Sequence, residues 1–227
     1  MVKRGVNMGN VGFSLIVPAG GTSSRYGNTN KLLEKIGSKT VIEHSVEHFL
    51  NFQEITQIII PANISIISDL EKLSFDTKVK LIEGGQVRQE SVYKALQYVS
   101  EEYVLIHDAA RPLITVDIIK NTIDAVQKYN AVSVLTKTTD TIKEVDDTGK
   151  IIRTIDRSKL YNTQTPQAFK TELIKSAHEK LKGGNYTDDS SMLEELGIPV
   201  YAAEGNYKNI KITSKSDLDF AKIYLAE

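Results

Sequence analysis

Short runs rich in valine and isoleucine alternate with helical patterns along most of this chain, and that rhythm limits the fold more than any other feature. Phe13–Pro18, Gln57–Pro61, Val79–Glu83, Tyr103–His107 and Ala131–Leu135 read as strands. Val41–Phe52, Ile64–Leu73, Gln89–Ser100, Thr115–Tyr129 and Thr171–Leu181 read as helices. Such alternation requires crossover connections and predicts an α/β fold, a mainly parallel twisted sheet with helices on both faces. At 227 residues the chain fits one domain, 1–227, with an appendage. Ligands of such sheets bind beyond the carboxyl ends of the strands. Three chemically informative segments fall there: Pro18–Lys31, Gly84–Ser91 and His107–Pro112.

In the first segment the strand breaks into Ala19-Gly20-Gly21, then small hydroxyl residues, then the cations Arg25 and Lys31. Glycines let the backbone approach a ligand and aim its N–H groups at oxygens, while the cations neutralise charge that grows during reaction. A polyphosphate suits such a loop, although an ordinary strand-to-helix turn has the same look. The loop is neither a Walker A sequence nor G-x-G-x-x-G. Overall charge sharpens the argument. Lys plus Arg number 28 against 29 Asp plus Glu, a net charge of −1, so no global basic field points to nucleic acid or an anionic membrane. Any phosphate must be held by local cations. The absence of cysteine excludes disulfides, thiolate zinc sites, iron–sulfur clusters and a cysteine nucleophile. No apolar run reaches the ~18 residues of a membrane span. Met1–Asn10 carries Lys3 and Arg4 with no apolar stretch behind them, so it reads as a frayed end rather than a signal peptide, and the expected location is cytoplasmic.

In Gly84-Gly85-Gln86-Val87-Arg88-Gln89-Glu90-Ser91 two glycines again permit close approach, and amides at a helix start favour anions or polar base edges. The alternative is a tight turn with Arg88 solvated. His107-Asp108-Ala109-Ala110-Arg111-Pro112 sets an acid and an arginine around two small residues. Arg111 can fork onto phosphate and Asp108 can hold a metal or a hydroxyl; an Asp–Arg ion pair capping the loop is the alternative. His107 reads as packed or hydrogen-bonded. Thr154-Ile-Asp-Arg157 and Thr163-Gln-Thr-Pro-Gln-Ala-Phe169 offer hydroxyls and a cation for a second phosphate or polyol. Thr187 can cap a helix. Val200–Ala203 and Asn209–Thr213 read as strands, the second directing Lys211 to one face, and Ser214 or Ser216 can cap a final helix Asp217–Leu225. His44-Ser-Val-Glu-His48 has the form of an inverted zinc-peptidase motif, but its helix belongs on the sheet and no third ligand is identifiable.

After Lys137 the rhythm changes. Thr139–Val145 and Lys150–Asp156 flank Asp146-Asp147-Thr148-Gly149, a β-hairpin with an Asp/Gly turn. This arm, 138–160, has unpaired edges, which commonly find a partner. It is expected to reach a second subunit; folding over its own domain is the alternative.

Taken together, Pro-Ala-Gly-Gly…Arg25…Lys31, Gly-Gly…Arg88…Ser91, His-Asp-Ala-Ala-Arg-Pro, Thr-Ile-Asp-Arg, Thr-Pro-Gln-Ala-Phe and Asn-Ile-Lys-Ile-Thr, in that order, resemble the 2-C-methyl-D-erythritol 4-phosphate cytidylyltransferases of the non-mevalonate isoprenoid pathway. The resemblance runs from about Phe13 to Leu225. It implies a homodimeric, Rossmann-like nucleotide-diphospho-sugar transferase fold with a protruding β-arm. It implies that CMP passes from CTP, with Mg²⁺, to methylerythritol phosphate. By the same resemblance Arg25 and Lys31 stabilise the transition state, while Ala19, Gly20 and Gly21 cradle the triphosphate. Gly85, Gln86 and Ser91 read cytosine. Asp108, Ala109 and Arg111 border the substrates, and Thr141 and Arg157 reach from the arm into the partner's site. Lys211 positions the acceptor phosphate, with Thr165 and Thr187 as further contacts. The sequence departs from the family's usual pattern at Ser23, Tyr26, Asn30 and Leu32, and has Gln86 where an acid is frequent. Ribitol-5-phosphate cytidylyltransferase is the sibling alternative; Ala110 speaks against it by a difference of only ~1–3 kcal/mol. A non-catalytic nucleotide-binding protein of this fold is the alternative from another class.

Overall fold

The computed structural model describes residues 11–21, 26, 29–184 and 186–226. The expected frayed end and the candidate Arg25 lie outside the described residues. Seven strands form one sheet: β1 (Phe13–Ile16), β4 (Ile55–Ala62), β5 (Val79–Glu83), β6 (Tyr103–Ile106), β7 (Ala131–Lys137), β10 (Tyr161–Lys170) and β11 (Tyr201–Glu204), in the order β11-β7-β10-β6-β1-β4-β5. Two short strands, β2 (Lys35–Ile36) and β3 (Lys39–Thr40), form a separate hairpin, as do β8 (Ile142–Val145) and β9 (Ile151–Ile155).

The helices are α1 (Val41–Leu50), α2 (Ile64–Leu70), α3 (Arg88–Leu96), α4 (Val116–Tyr129), α5 (Thr171–Lys180), α6 (Ser190–Glu195) and α7 (Lys215–Ala226). Their limits follow local chemistry. Thr40 and Glu43 form a reciprocal capping box at the start of α1. At α4, Thr115 accepts from the Ile118 amide, and the helix ends where Asn130 takes φ +64°. Ser214 and Asp217 cap α7 reciprocally, which decides between the two candidate serines in favour of Ser214.

Alternation along the strands sends side chains to two cores. Phe13, Leu15 and Val17 pack with α1, α2, α4 and α7 on one face. Ile16, Val104 and Ile106 pack with α3, α5 and α6 on the other. Burial on both faces is why these strands read as continuous apolar runs.

Two expectations need correction. The segment around Thr163–Phe169 was not read as a strand, yet β10 runs antiparallel to both β6 and β7 in the middle of the sheet. Its polar residues and Pro166 disguise it, and the register shifts between Thr163 and Gln167 where proline lacks a ladder donor. The sheet is therefore mixed. Asn209–Thr213 is not a strand; the Ile212 amide bonds to the Ala110 carbonyl at 2.8 Å, and side-chain contacts of Asn209 and Lys211 supply the other ties. The expected hairpin is present, continuing the β7–β10 pair outward, with Asp146 accepting from the amides of Thr148 and Lys150 and Gly149 at φ +85°.

Phe169 is wholly buried in β10. Phe169→Ala is expected to cost about 3–5 kcal/mol, seen as a lower urea midpoint with unchanged slope.

Candidate active site

The loops after β1, β5 and β6 meet at the carboxyl edge of the sheet. A cavity of about 360 Å³ opens there, lined by Gly20 and Gly21, by Lys31, by Gln86 and Arg88, by Asp108 and Ala109, and by Lys211. A second, of about 410 Å³, is lined by Arg111, Thr165, Thr187 and Asp188, and again by Arg88, Asp108 and Lys211. Both volumes suit small-molecule sites of ~300–1,000 Å³. Arg88, Asp108 and Lys211 thus form the seam between two cavities.

Asp108 organises that seam. Its carboxylate lies 2.9 Å from Lys211 Nζ, 3.5 Å from Arg88 Nε and 3.5 Å from Arg111 Nε. Burial would raise its pKa, but Arg88, Lys211 and Arg111 outweigh burial and hold the carboxyl well below its ordinary range. It is an anion at neutral pH. Arg111 is fixed elsewhere as well: Nη1 donates to the Asn209 carbonyl at 2.7 Å and Nη2 to the Thr163 carbonyl at 3.4 Å. Its fork therefore ties β10 to the Lys211 segment, and the Asp–Arg pair weighed as the alternative is present.

Thr165 supports the seam from β10. Its hydroxyl oxygen accepts from the Asp108 amide at 3.0 Å and its proton goes to His107 Nδ1 at 3.1 Å. His107 Nε2 then donates to the Arg111 carbonyl at 3.2 Å. The ring is wholly buried against Phe49. Burial lowers its pKa to about 4, so it is a neutral brace and not an acid–base group.

The glycine turns are locked together. Ser91 Oγ accepts from the Gly85 amide at 2.9 Å and donates to the Val87 carbonyl at 3.1 Å. It stands where a Cβ on Gly20 would come within 2.8 Å of it. A Cβ on Gly85 would meet the Glu90 backbone at 2.9 Å. Ser91 is therefore a strut between two loops. Ala19 and Gly85 line neither cavity; Ala19 bridges to Ala62 below the floor. Thr141 and Arg157 are exposed on the arm and also line neither, Arg157 donating to the Thr139 carbonyl. Thr187 does not cap α6. Asp189 is the N-cap residue, and the preceding Asp188 accepts from the Ser191 amide.

Sequence reasoning left Arg88 solvated as an alternative. The structure places it in the seam, with Nη1 2.7 Å from Asp189. Its presence in the Gly-Gly…Arg…Ser motif was the available signal. His44 Nε2 donates to the Ile36 carbonyl at 2.9 Å.

Comparison with known proteins adds identity to this geometry. The family model described as 2-C-methyl-D-erythritol 4-phosphate cytidylyltransferase matches residues 13–227. The protein of that name from Dictyoglomus thermophilum is 42% identical over 213 residues, spanning 89% of this chain and 92% of that one. The one from Bacillus mycoides is 38% identical over 221 residues, 94% of this chain and 97% of its own. The crystal structure of 4-diphosphocytidyl-2C-methyl-D-erythritol synthase from Anaerococcus prevotii superposes with a TM-score of 0.85 at 30% identity, covering 96% of this chain and 100% of that one.

His107 also gives the site a pH signature. Its pKa falls from 6.5 to about 4 on folding, so the unfolded chain binds the extra proton between those values. Stability is full above pH ~6.5 and falls as pH drops towards 4, by up to about 3 kcal/mol at ~1.4 kcal/mol per unit. Urea unfolding across that range is expected to show this slope in the wild type and lose it in His107→Gln.

Proposed function

The chain belongs to the 2-C-methyl-D-erythritol 4-phosphate cytidylyltransferase family, which transfers CMP from CTP to methylerythritol phosphate in isoprenoid synthesis, and on that premise we propose that its two adjoining cavities divide the substrates between them. One observation carries this reading: the cavities share a charged seam, so a donor in one and an acceptor in the other would meet at Arg88, Asp108 and Lys211. CTP occupies the first, its triphosphate over Gly20 and Gly21 and beside Lys31. The polyol phosphate occupies the second, along Thr165 and Thr187. An acceptor phosphate oxygen attacks the α-phosphorus in line. The new O–P bond forms as the bond to the β-phosphate bridging oxygen breaks, and pyrophosphate leaves. The attacking phosphate is already ionised, so no general base is needed. Catalysis comes from positioning and charge compensation. Lys31 and Arg25 neutralise the reacting phosphates, and Lys211 guides the acceptor.

Nucleotidyltransferases of this family generally depend on a divalent metal. Among the described residues no cluster of three acidic or histidine side chains could hold one. Asp108 lies against three cations, so the residues present do not build a metal site. Mg²⁺ fits this reading as an ion carried in on the triphosphate, and none of these steps is routed through it.

The arm supports a homodimer. Val145, Ile151 and Ile152 are exposed on it, and Thr141 and Arg157 reach no cavity of their own protomer. In this reading they enter the partner's acceptor cavity. A cytoplasmic location follows from substrates that are charged phosphate esters.

Pyrophosphate release from CTP with methylerythritol 4-phosphate, and its absence with ribitol 5-phosphate, is the expected result; the reverse moves the enzyme to its sibling's acceptor. Lys31→Ala should lower turnover by ~100-fold or more with little change in CTP affinity. Lys31→Ala and Arg157→Ala chains, each inactive alone, should regain activity as heterodimers, because one site then has both residues intact. No regain means that the arm serves its own protomer.

A further inference from the structure

Arg88 opens α3 and is drawn in two directions. Its Nη1 lies 2.7 Å from Asp189 Oδ2 and its Nε 3.5 Å from Asp108 Oδ1. Asp189 is the nearer and the better fixed partner. Its carboxylate is 1% exposed, and its other oxygen meets His178 Nε2 at 3.2 Å. The amides of Asp189 and Ser190 both donate to the side chain of Gln167, itself wholly buried in β10. Three elements, β10, α5 and the start of α6, therefore fix one carboxylate that faces one arginine.

A buried Arg–Asp pair is weak evidence for stability, since apolar replacements of similar volume often serve as well. Its placement says more. Lys31 lines the first cavity only. Arg111 lines the second only, and its fork is bonded to carbonyl groups. Among the described residues, Arg88 and Lys211 are the cations that border both. Arg88 and Lys211 meet Asp108 at the seam, Arg88 is also paired with Asp189, and Asp188 lines the second cavity with them. In the two-cavity reading two phosphate groups approach each other there. A lysine offers a point charge there, whereas a guanidinium fork can contact oxygens of both phosphates at once.

We propose that Arg88 is a further catalytic residue, contacting the reacting phosphates across the seam, and that Asp189, backed by His178 and Gln167, is the positioning residue that holds it there. Asp189 keeps the guanidinium from closing onto Asp108, so Arg88 stays at the seam when phosphate arrives. The inference rests on the cytidylyl-transfer reading of the two cavities.

Pyrophosphate release and calorimetric CTP binding on the full chain test it, using Arg88→Met, Asp189→Asn and the double variant, each checked for a cooperative thermal transition. Arg88→Met is expected to lower turnover at saturating substrates by ~100-fold and CTP affinity by ~10-fold, as for loss of charge-assisted hydrogen bonds. Asp189→Asn should give a smaller loss in both, and the double variant should be no worse than Arg88→Met. Losses that multiply in the double variant overturn the positioning role. An Arg88→Met enzyme within about twofold of wild type in both readouts overturns the catalytic one. If Asp189→Asn does not fold, Arg88→Lys decides the catalytic role: it must recover at least part of the turnover that methionine loses, and no recovery counts against charge contact. A wild-type chain that binds CTP but releases no pyrophosphate with methylerythritol 4-phosphate sinks the cytidylyl-transfer reading instead, while the binding measurements still decide whether Arg88 meets phosphate.

Discussion

A single buried carboxylate, Asp108, is the constraint on which this site depends. Taking an anion out of water costs several kcal/mol unless charge and hydrogen bonds replace the lost hydration. Here the replacement comes from three separate places in the chain. Arg88 begins α3, Arg111 follows in the same loop as Asp108, and Lys211 arrives from beyond β11. Because each cation is attached to a different segment, satisfying the charge also fixes the relative positions of those segments. Electrostatics outweighs burial for Asp108, so the charge persists and the seam stays set before any ligand arrives.

The polar middle of β10 serves the same end. A central strand that contains Gln164, Thr165, Pro166 and Gln167 violates the usual apolar pattern, and such violations gather at functional sites. Each buried polar group finds a partner that matters for the site. Gln164 accepts from the Asn206 amide and the Asn209 side chain. Thr165 holds the Asp108 amide and sets the His107 tautomer. Gln167 holds the turn that carries Asp189. One antiparallel strand thus connects the second cavity to the seam, and the same strand continues outward to the arm.

The chemistry needs no protein nucleophile, and the site is built accordingly. His107 is neutral and enclosed, and Ser91 has its hydroxyl bonded to backbone. Gly20, Gly21, Ala109 and Ala110 leave room for backbone approach, while Lys31, Arg88 and Lys211 supply charge around that room. Preorganised charge of this kind stabilises a transition state without reorganising during reaction.

Sequence alone determined the strand–helix alternation, the two glycine turns, the hairpin at Asp146–Gly149 and the family to which the motifs point. Those features are local: apolar periodicity, turn residues and motif order can be read within a few tens of residues. It did not reveal that β10 is a central strand, because pairing on both sides lets tertiary structure override its polar composition. Nor did it show that Asn209–Thr213 is held by side-chain bonds and one backbone bond rather than by a ladder. The tertiary structure alone decided which charges meet. Arg88's partner Asp189 lies about a hundred positions away in the chain, and the carbonyl partners of Arg111 come from two other segments. Ion pairing depends on distance in space, and folding sets that distance.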